Sequence, residues 1–379
     1  MLKRVRIRGY RCFRDVDVEL KPLQVLVGPN GSGKSAFLDA IRFVRDVVRH
    51  HLRGAMRMRV WKPEELFWKG QAREIEIQLT WGDDSSEARG SLPGEVIYEI
   101  ALQRGEGKAD IVREHLSWAG RTIYRRTGPE IRFEEQPGVS WRVEGDQAAL
   151  RTLFEFTPEP LKEIVKGLQG WWLKAWPEFL HPEPRAIRRG IRRWEEPRHQ
   201  RFYPNARDLP LLIQRMKEVH PEAYQYWLDE IRSLIGQHVE LQPHHDEVAG
   251  IFRLAMKWNG VWLSPSGISE GWLRFIALSL YAYDPENEGC VFFIEEIENG
   301  LSPDSIDALF GIMVETPAVQ WLVTSQHPLL VRLAGPQRLL IFSREEGEAQ
   351  VLPGSQHPLL RDLEPGADLA VLFLAHILS

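Results

Sequence analysis

The chain has 379 residues, 43% hydrophobic and 27% charged, with a formal net charge of −5. That composition is globular, and the length allows two or three domains. The acidic balance excludes a uniformly basic nucleic-acid binder, so any such site has to be a local patch. Cys12 and Cys290 are too far apart in sequence to read as a disulfide framework or a zinc site. The Arg-studded N-terminus lacks an apolar signal core, and the longest apolar tract, residues 369–378, is too short to span a bilayer. A cytoplasmic protein with no membrane partner is expected.

In chain order, strands are expected at 2–8 and at 16–20, the second alternating as V-D-V-E-L. A third, 24–27, runs into a glycine-rich turn and a helix on which Phe37, Leu38, Ile41, Val44 and Val48 share one face. Residues 74–143 read as antiparallel β structure with exposed turns. Residues 147–236 read as helices punctuated by prolines, without the heptads of a long coiled-coil arm. Strands return at 238–241 and 251–258. A helix at 270–283, a strand at 291–294, a helix from 304 and strands at 320–323 and 338–342 follow. Helices alternating with apolar strands predict an α/β fold with a mostly parallel sheet. Residues 1–70 and 250–379 are expected to form its core, with an antiparallel-β insertion at 71–146 and a helical inserted lobe at 147–249.

The strongest motif is Gly28-Pro29-Asn30-Gly31-Ser32-Gly33-Lys34-Ser35, which fits G-x-x-x-x-G-K-[ST] between a strand and a helix that continues at Ala36. Glycines let backbone N–H groups close around phosphate oxygens, and the helix N-terminus adds its positive end. Lys34 can reach the β- and γ-phosphates of ATP, and Ser35 offers a hydroxyl to Mg²⁺. Such a loop needs a carboxylate at the end of a neighbouring strand. The run Val291-Phe292-Phe293-Ile294-Glu295-Glu296 supplies two.

From Glu295 onward, E-E-I-E-N-G-L-S-P resembles the D-E-P-E-N-G-L-H-P run of ABC-type ATPases in the RecF/SMC/OLD branch. Residues 268–274, I-S-E-G-W-L-R, are similar to that branch's signature, S-x-G opening a helix. The openings RIRGYRCFRDVDVEL and PLQVLVGPNGSGKSAFLDAI, and the stretch NARDLPLLIQRMKEVHPEAY, also resemble it. The resemblance implies an ABC-ATPase-like P-loop core that dimerises head to tail around two ATP molecules. Ser269 and Gly271 would then contact the γ-phosphate held by the other subunit. Glu296 would orient water, Glu295 would serve Mg²⁺, and Asn299 and Gly300 would lie in a loop crossing the interface.

Two departures stand out. Glu295 replaces the usual Asp, lengthening the side chain by one methylene, and angstrom-scale displacement in such a site costs on the order of a hundredfold in rate. The usual T-T-H-S-P switch run reads Thr324-Ser325-Gln326-His327-Pro328, which puts Gln326, a donor without charge, in the histidine's place. A lobe-linking glutamine is expected early in the insertion, as Gln71 or Gln78. Arg11 and Arg14 read either as nucleotide neighbours or as solvated turn residues.

Residues 185–201 carry seven arginines against Glu195 and Glu196, with Trp194 among them. Arg188, Arg189, Arg192 and Arg193 are candidate contacts to double-stranded DNA, or part of a salt-bridged or partner-binding surface. Together these features predict an ATPase acting as a homodimeric, or higher-order, ATP-driven clamp or switch in DNA maintenance or in defence against foreign DNA. The alternative is a slow, nucleotide-locked scaffold for an effector. About 35 residues follow Arg344, too few for the TOPRIM nuclease of some relatives, so any nuclease is expected to be a separate partner.

Overall fold

The computed structural model describes residues 1–82, 94–134, 138, 140–156, 161–192, 195, 202–361 and 369–374. The chain opens with β1 (Leu2–Tyr10), β2 (Phe13–Glu19), β3 (Leu23–Val27) and α1 (Lys34–Arg57). Six strands follow: β4 (Glu74–Trp81), β5 (Val96–Arg104), β6 (Ala109–Trp118), β7 (Arg121–Thr127), β8 (Glu130–Phe133) and β9 (Ser140–Arg142). The middle holds α2 (Ala149–Glu155), α3 (Lys162–Ala175), β10 (Glu178–Leu180), α4 (Pro184–Arg189), β11 (Ile191–Arg192), α5 (Leu209–Val219) and α6 (Pro221–Ile235). Then come β12 (Glu240–Asp246), β13 (Ile251–Trp258), β14 (Val261–Leu263), α7 (Glu270–Tyr283), β15 (Val291–Ile294), α8 (Pro303–Glu315) and β16 (Gln320–Thr324). The last elements are α9 (Pro328–Arg338), β17 (Leu339–Glu345), β18 (Glu348–Pro353), α10 (Pro358–Arg361) and α11 (Leu369–Leu374).

Three sheets organise these elements. The central one runs β10-β15-β16-β3-β17-β18, parallel except for the last strand. Its strands alternate between two cores: Val291, Phe293, Leu322 and Leu26 face one, and Phe292, Ile294, Trp321, Val323 and Val25 face the other. Both faces are therefore buried, which is why these strands read as unbroken apolar runs. One core is filled by α1 and an antiparallel sheet ordered β2-β1-β4-β5-β6-β7-β8-β9. β4 pairs directly with β1 (Val5↔Leu79, Ile7↔Ile77), so the strands of residues 71–146 extend the N-terminal hairpin into one continuous sheet. The other core holds α5–α9 and a small sheet of β11-β13-β12 with β14.

The stretch read from sequence as helical also contains β10, which adds an edge to the central sheet beside β15. Three residues are too few for a period-2 signal to appear. Many of the tryptophans serve packing. Trp81 meets Trp171 and Trp176 at centroid distances of 4.9 and 5.0 Å, and Trp172 meets Trp176 at 4.3 Å, docking α3 onto the end of β4. Gln320 is buried between the two large sheets. Its Oε1 accepts from Leu2 N (2.7 Å) while its Nε2 donates to the carbonyls of Leu2 (2.8 Å) and Lys21 (3.1 Å).

Asp208, where the chain turns into α5, is 1% exposed. Its Oδ2 accepts from Tyr203 N (3.1 Å), whereas Oδ1 has no partner. Burial raises its carboxyl to about 6, although the backbone hydrogen bonds and Arg207 and Arg215 pull the other way. The folded chain thus holds this proton where the unfolded chain, ionising near pH 4, has lost it. Stability from this group is therefore full below about pH 4 and falls as pH rises through about 6. Asp208→Asn is expected to flatten that fall and to stabilise the protein at pH 7.5 by roughly 2–3 kcal/mol, as read by denaturant melts at several pH values. A variant less stable than wild type at pH 7.5 would refute this account.

Candidate nucleotide-binding site

The loop after β3 takes its shape from three glycines with positive φ: Gly28 (142°), Gly31 (78°) and Gly33 (115°). At Gly28 the need is also spatial, because a Cβ would lie 2.1 Å from the Phe342 carbonyl oxygen. Gly33 caps α1 without a side-chain hydrogen bond, and the first turn of α1 contains no acidic residue. The first N–H groups of a long helix are thus left for an anion. Ser32 is 1% exposed, and its Oγ lacks a partner. Lys34 folds back over the loop, its Nζ donating to the carbonyls of Gly28 (2.6 Å) and Pro29 (2.9 Å). Burial lowers the Lys34 pKa, and the nearby carboxylates of Glu296 and Glu298 oppose that shift.

A cleft of about 440 Å³ brings this loop together with the acidic strand end. Asn30, Gly31, Gly33, Lys34, Ser35 and Ala36 line one side. Glu295, Glu296, Thr324 and Gln326 line the other, and Cys12 completes the wall. Glu296 sits at φ 48°, a left-handed conformation that costs a non-glycine residue about 1 kcal/mol. Two bonds hold it there: its N donates to Thr324 Oγ1 (2.9 Å), and its Oε2 accepts from Asn299 Nδ2 (2.6 Å). Gln326 spans the cleft, its backbone N donating to Glu298 Oε1 (2.8 Å) and its Nε2 to Asn30 Oδ1 (2.7 Å). His327 instead caps α9, its Nδ1 accepting from Leu329 N (3.2 Å).

The residues present fit a nucleotide with a hard cation. Backbone N–H groups, an orphaned hydroxyl and a lysine suit phosphate oxygens, while the Ser35 hydroxyl and the Glu295 carboxylate suit Mg²⁺. Among the described residues no group of three or more His, Cys, Asp or Glu could hold a metal by itself. A cation here would share its coordination with phosphate and water, as Mg²⁺ commonly does.

Other expected site residues lie elsewhere. Ser269 is exposed at the start of α7 and accepts from Trp272 N (3.2 Å), so within one chain it acts as a helix cap. Gly271 is pressed on the Gly300 carbonyl, 2.6 Å from where a Cβ would stand. Neither lines the cleft. Arg188 is partly exposed and is bonded within its own chain. It donates to the carbonyls of Pro265 (3.3 Å) and Ile268 (3.0 Å) and to Glu270 Oε1 (2.9 Å), tying α4 to the loop that opens α7. Arg189 and Arg192 are exposed, the first on α4 and the second on β11; Arg193 and Trp194 lie outside the described residues.

Arg11 pairs with Asp39 (3.1 Å), and Arg14 lies over Trp68. Gln78 is bonded to Glu99, and Gln71 closes a short turn at 68–70, so neither reaches the cleft. β10, one of the two strands flanking the acidic one, runs at its carboxyl end into His181 and not into a glutamine. Sequence reasoning missed Thr324, which fixes Glu296 from the adjacent strand. Its place at the end of an apolar strand was the available signal.

The model for an AAA ATPase domain matches residues 1–112. That for an AAA domain, putative AbiEii toxin, Type IV TA system, matches residues 197–332. An OLD nuclease from Thermus scotoductus is 47% identical over 79 residues, which are 21% of this chain and 14% of that protein. A chromosome partition protein Smc from Methylococcus capsulatus is 25% identical over 203 residues, 49% of this chain and 16% of that one. The matches thus span less than a fifth of either relative. Among solved structures, an Smc head bound to the C-terminal winged-helix domain of ScpA aligns with a TM-score of 0.59 at 15% identity. It covers 93% of this chain and 97% of that head, so the fold is that of an SMC head.

Gly271→Ala is expected to push the start of α7 away from Gly300, costing about 1–3 kcal/mol of stability. Binding of a fluorescent ATP analogue to the monomer is expected to be unchanged, because Gly271 lies outside the cleft. An unaltered melt would show that the two backbones are not in this contact.

Proposed function

We propose that this chain, a P-loop ATPase of the RecF/SMC/OLD-like kind, binds Mg-ATP in the cleft at Lys34 and hydrolyses it. ATP would join two copies head to tail and act as the switch of a clamp in DNA maintenance or defence against foreign DNA. One observation supports this most: the phosphate loop, two carboxylates and the Gln326 switch residue converge on a single cleft at the carboxyl ends of parallel strands. Residues 28–36 would cradle the phosphates with their N–H groups, and Lys34 would exchange its two carbonyl partners for phosphate oxygens. Mg²⁺, held by Ser35 and Glu295, would neutralise charge on the β- and γ-phosphates. Glu296, fixed by Thr324 and Asn299, would orient the attacking water, and Gln326 would donate to the γ-phosphate.

The residues that the cleft omits support the dimer. Ser269 and Gly271 are exposed or half-exposed at the N-terminus of a 14-residue helix, outside the cleft of their own chain, where a second copy's nucleotide could meet them. A DNA grip would draw on exposed Arg189 and Arg192 and on Arg193. No helix among the described residues is long and apolar enough to cross a membrane, and we place the protein's action in the cytoplasm. The Gln326–Asn30 bond favours a second reading, in which a slowly exchanging site locks the dimer as a scaffold for a separate effector such as a nuclease.

The test is steady-state Mg-ATP hydrolysis beside ATP binding, with and without duplex DNA, for wild type and Glu296→Gln. Turnover that rises with DNA and falls by about 10²-fold or more in the variant, with binding retained, is expected. Tight binding without turnover above that of Glu296→Gln would refute the hydrolytic switch and leave the scaffold.

A further inference from the structure

One carboxylate at the start of α7 stands between two arginines. Glu270 is four residues before Arg274, the spacing at which a helical ion pair forms. Arg188, arriving from α4, takes it instead at 2.9 Å. Arg274 is left half-buried, with a buried Nε that has no partner, and it makes no hydrogen bond or ion pair with any described residue. A buried Nε without a hydrogen bond also occurs at Arg6, Arg11, Arg207 and Arg215, but each of these is ion-paired: with Asp15, Asp39, Glu195 and Asp284 respectively. Burial works against the Arg274 charge, and Glu270 only partly opposes it. A guanidinium does not deprotonate in proteins, so the cost of the missing partner persists.

Its position narrows the kind of partner. The stem passes the Gly300 turn, where a Cβ would lie 3.6 Å from Arg274 Cδ, and Gly300 in turn presses on Gly271. Side chains on a helix lean toward its N-terminus, which here is the Ser269–Gly271 end. The unpaired cation thus belongs to the same exposed corner as the two residues that the head-to-tail dimer would bring to a nucleotide. A planar guanidinium with parallel donors suits phosphate oxygens better than any neutral group in that corner.

Resting on the dimer proposed above, we propose that Arg274 is a third group which α7 presents, beside Ser269 and Gly271, to the nucleotide phosphates held by a second copy of the chain. Arg188 serves that role as a positioning residue. By occupying Glu270 it keeps Arg274 from being neutralised within its own chain, and it fixes the loop from which α7 starts.

Mixing defective subunits tests this. Arg274→Gln alone is expected to lower Mg-ATP turnover by about 10²-fold or more, with monomer ATP affinity within about twofold of wild type. Lys34→Ala alone is expected not to bind ATP. An equimolar mixture is expected to regain about a quarter of wild-type turnover, because random pairing makes half the dimers mixed and each mixed dimer holds one complete site. Where turnover is slow, the same comparison is read as ATP-dependent dimer formation by light scattering.

A parallel mixture of Ser269→Ala with Lys34→Ala separates the two ways of failing. If the serine variant complements and the arginine variant does not, Arg274 does not act across the interface and the proposal falls while the dimer stands. If neither complements, the head-to-tail dimer itself is refuted. Thermal melting adds a readout that a structural role would move the other way. Removing an unpaired, half-buried charge in Arg274→Met is expected to leave the melting temperature unchanged or raised, whereas a structural arginine would melt lower when lost.

Discussion

The register of β15, β16 and β3 is the constraint on which the site depends. Parallel pairing of Ile294 with Val323 and of Thr324 with Leu26 ends three strands at one side of the sheet. With strands about 4.8 Å apart, Glu295, Ser325 and Gly28 then emerge within about 10 Å of one another. Pairing continues beyond the strands. Ser325 N donates to the Leu26 carbonyl (3.1 Å), and Ile297 N donates to that of Thr324 (3.2 Å), so the loops leave the sheet in fixed directions. A register slip of one residue would exchange the two cores and turn Glu296 away from Lys34. Burial of both sheet faces is what prevents such a slip.

Burial on both sides also determines how the phosphate helix is held. α1 lies between the central and the antiparallel sheets, with Phe37, Leu38, Ile41, Phe43, Val44 and Val47 fully buried. A helix so enclosed needs its polar groups satisfied, and Arg45 and Asp46 are buried but paired. Arg45 reaches the Pro177 carbonyl and Glu178 on β10, while Asp46 receives Arg59 at 2.6 Å. The helix that starts at Lys34 is thereby bonded to the strand flanking the acidic one. β10 in turn leads within a few residues to α4, whose Arg188 holds the loop before α7. Loop and α7 start are thus joined to the nucleotide cleft by packed and bonded elements.

Legibility from sequence followed the length of each periodic signal. Strands at 251–258 and 291–294 and the helix near 270–283 were readable because Asn259-Gly260, Glu295-Glu296 and Asp284-Pro285 mark their ends. The phosphate loop was readable because its chemistry is contiguous in the chain. β10, three residues long, and the fate of Arg188 were not, because each is decided by what lies across a gap of many residues. Seven arginines close together suggested a charged face. Tertiary pairing consumed one of them on a loop nearly eighty residues away, and local charge counting has no access to that. Ser269 shows the opposite limit: cap and trans ligand demand the same residue at the same position, so a single chain displays the cap whichever role it also plays.

Within one chain the cleft is largely satisfied by its own groups, and this bears on how a nucleotide would exploit it. Lys34 donates to two loop carbonyls and Gln326 to Asn30, so phosphate oxygens entering the cleft would replace bonds already made. Exchanged hydrogen bonds contribute little net free energy, on the order of 1 kcal/mol each. The uncompensated gains lie elsewhere: in the uncapped N–H groups of α1, in the orphaned Ser32 hydroxyl and in the desolvated lysine, whose charged form a phosphate would favour. Affinity would therefore come chiefly from the backbone cradle, while the side-chain bonds would be exchanged at little net gain. Gln326 joins the two sides of the cleft: its side chain holds Asn30 and its backbone N holds Glu298, while Thr324 at the end of β16 holds Glu296. A phosphate that took the Gln326 side chain from Asn30 would thus act on a residue next to the strand end that holds Glu296, without requiring the sheet itself to move.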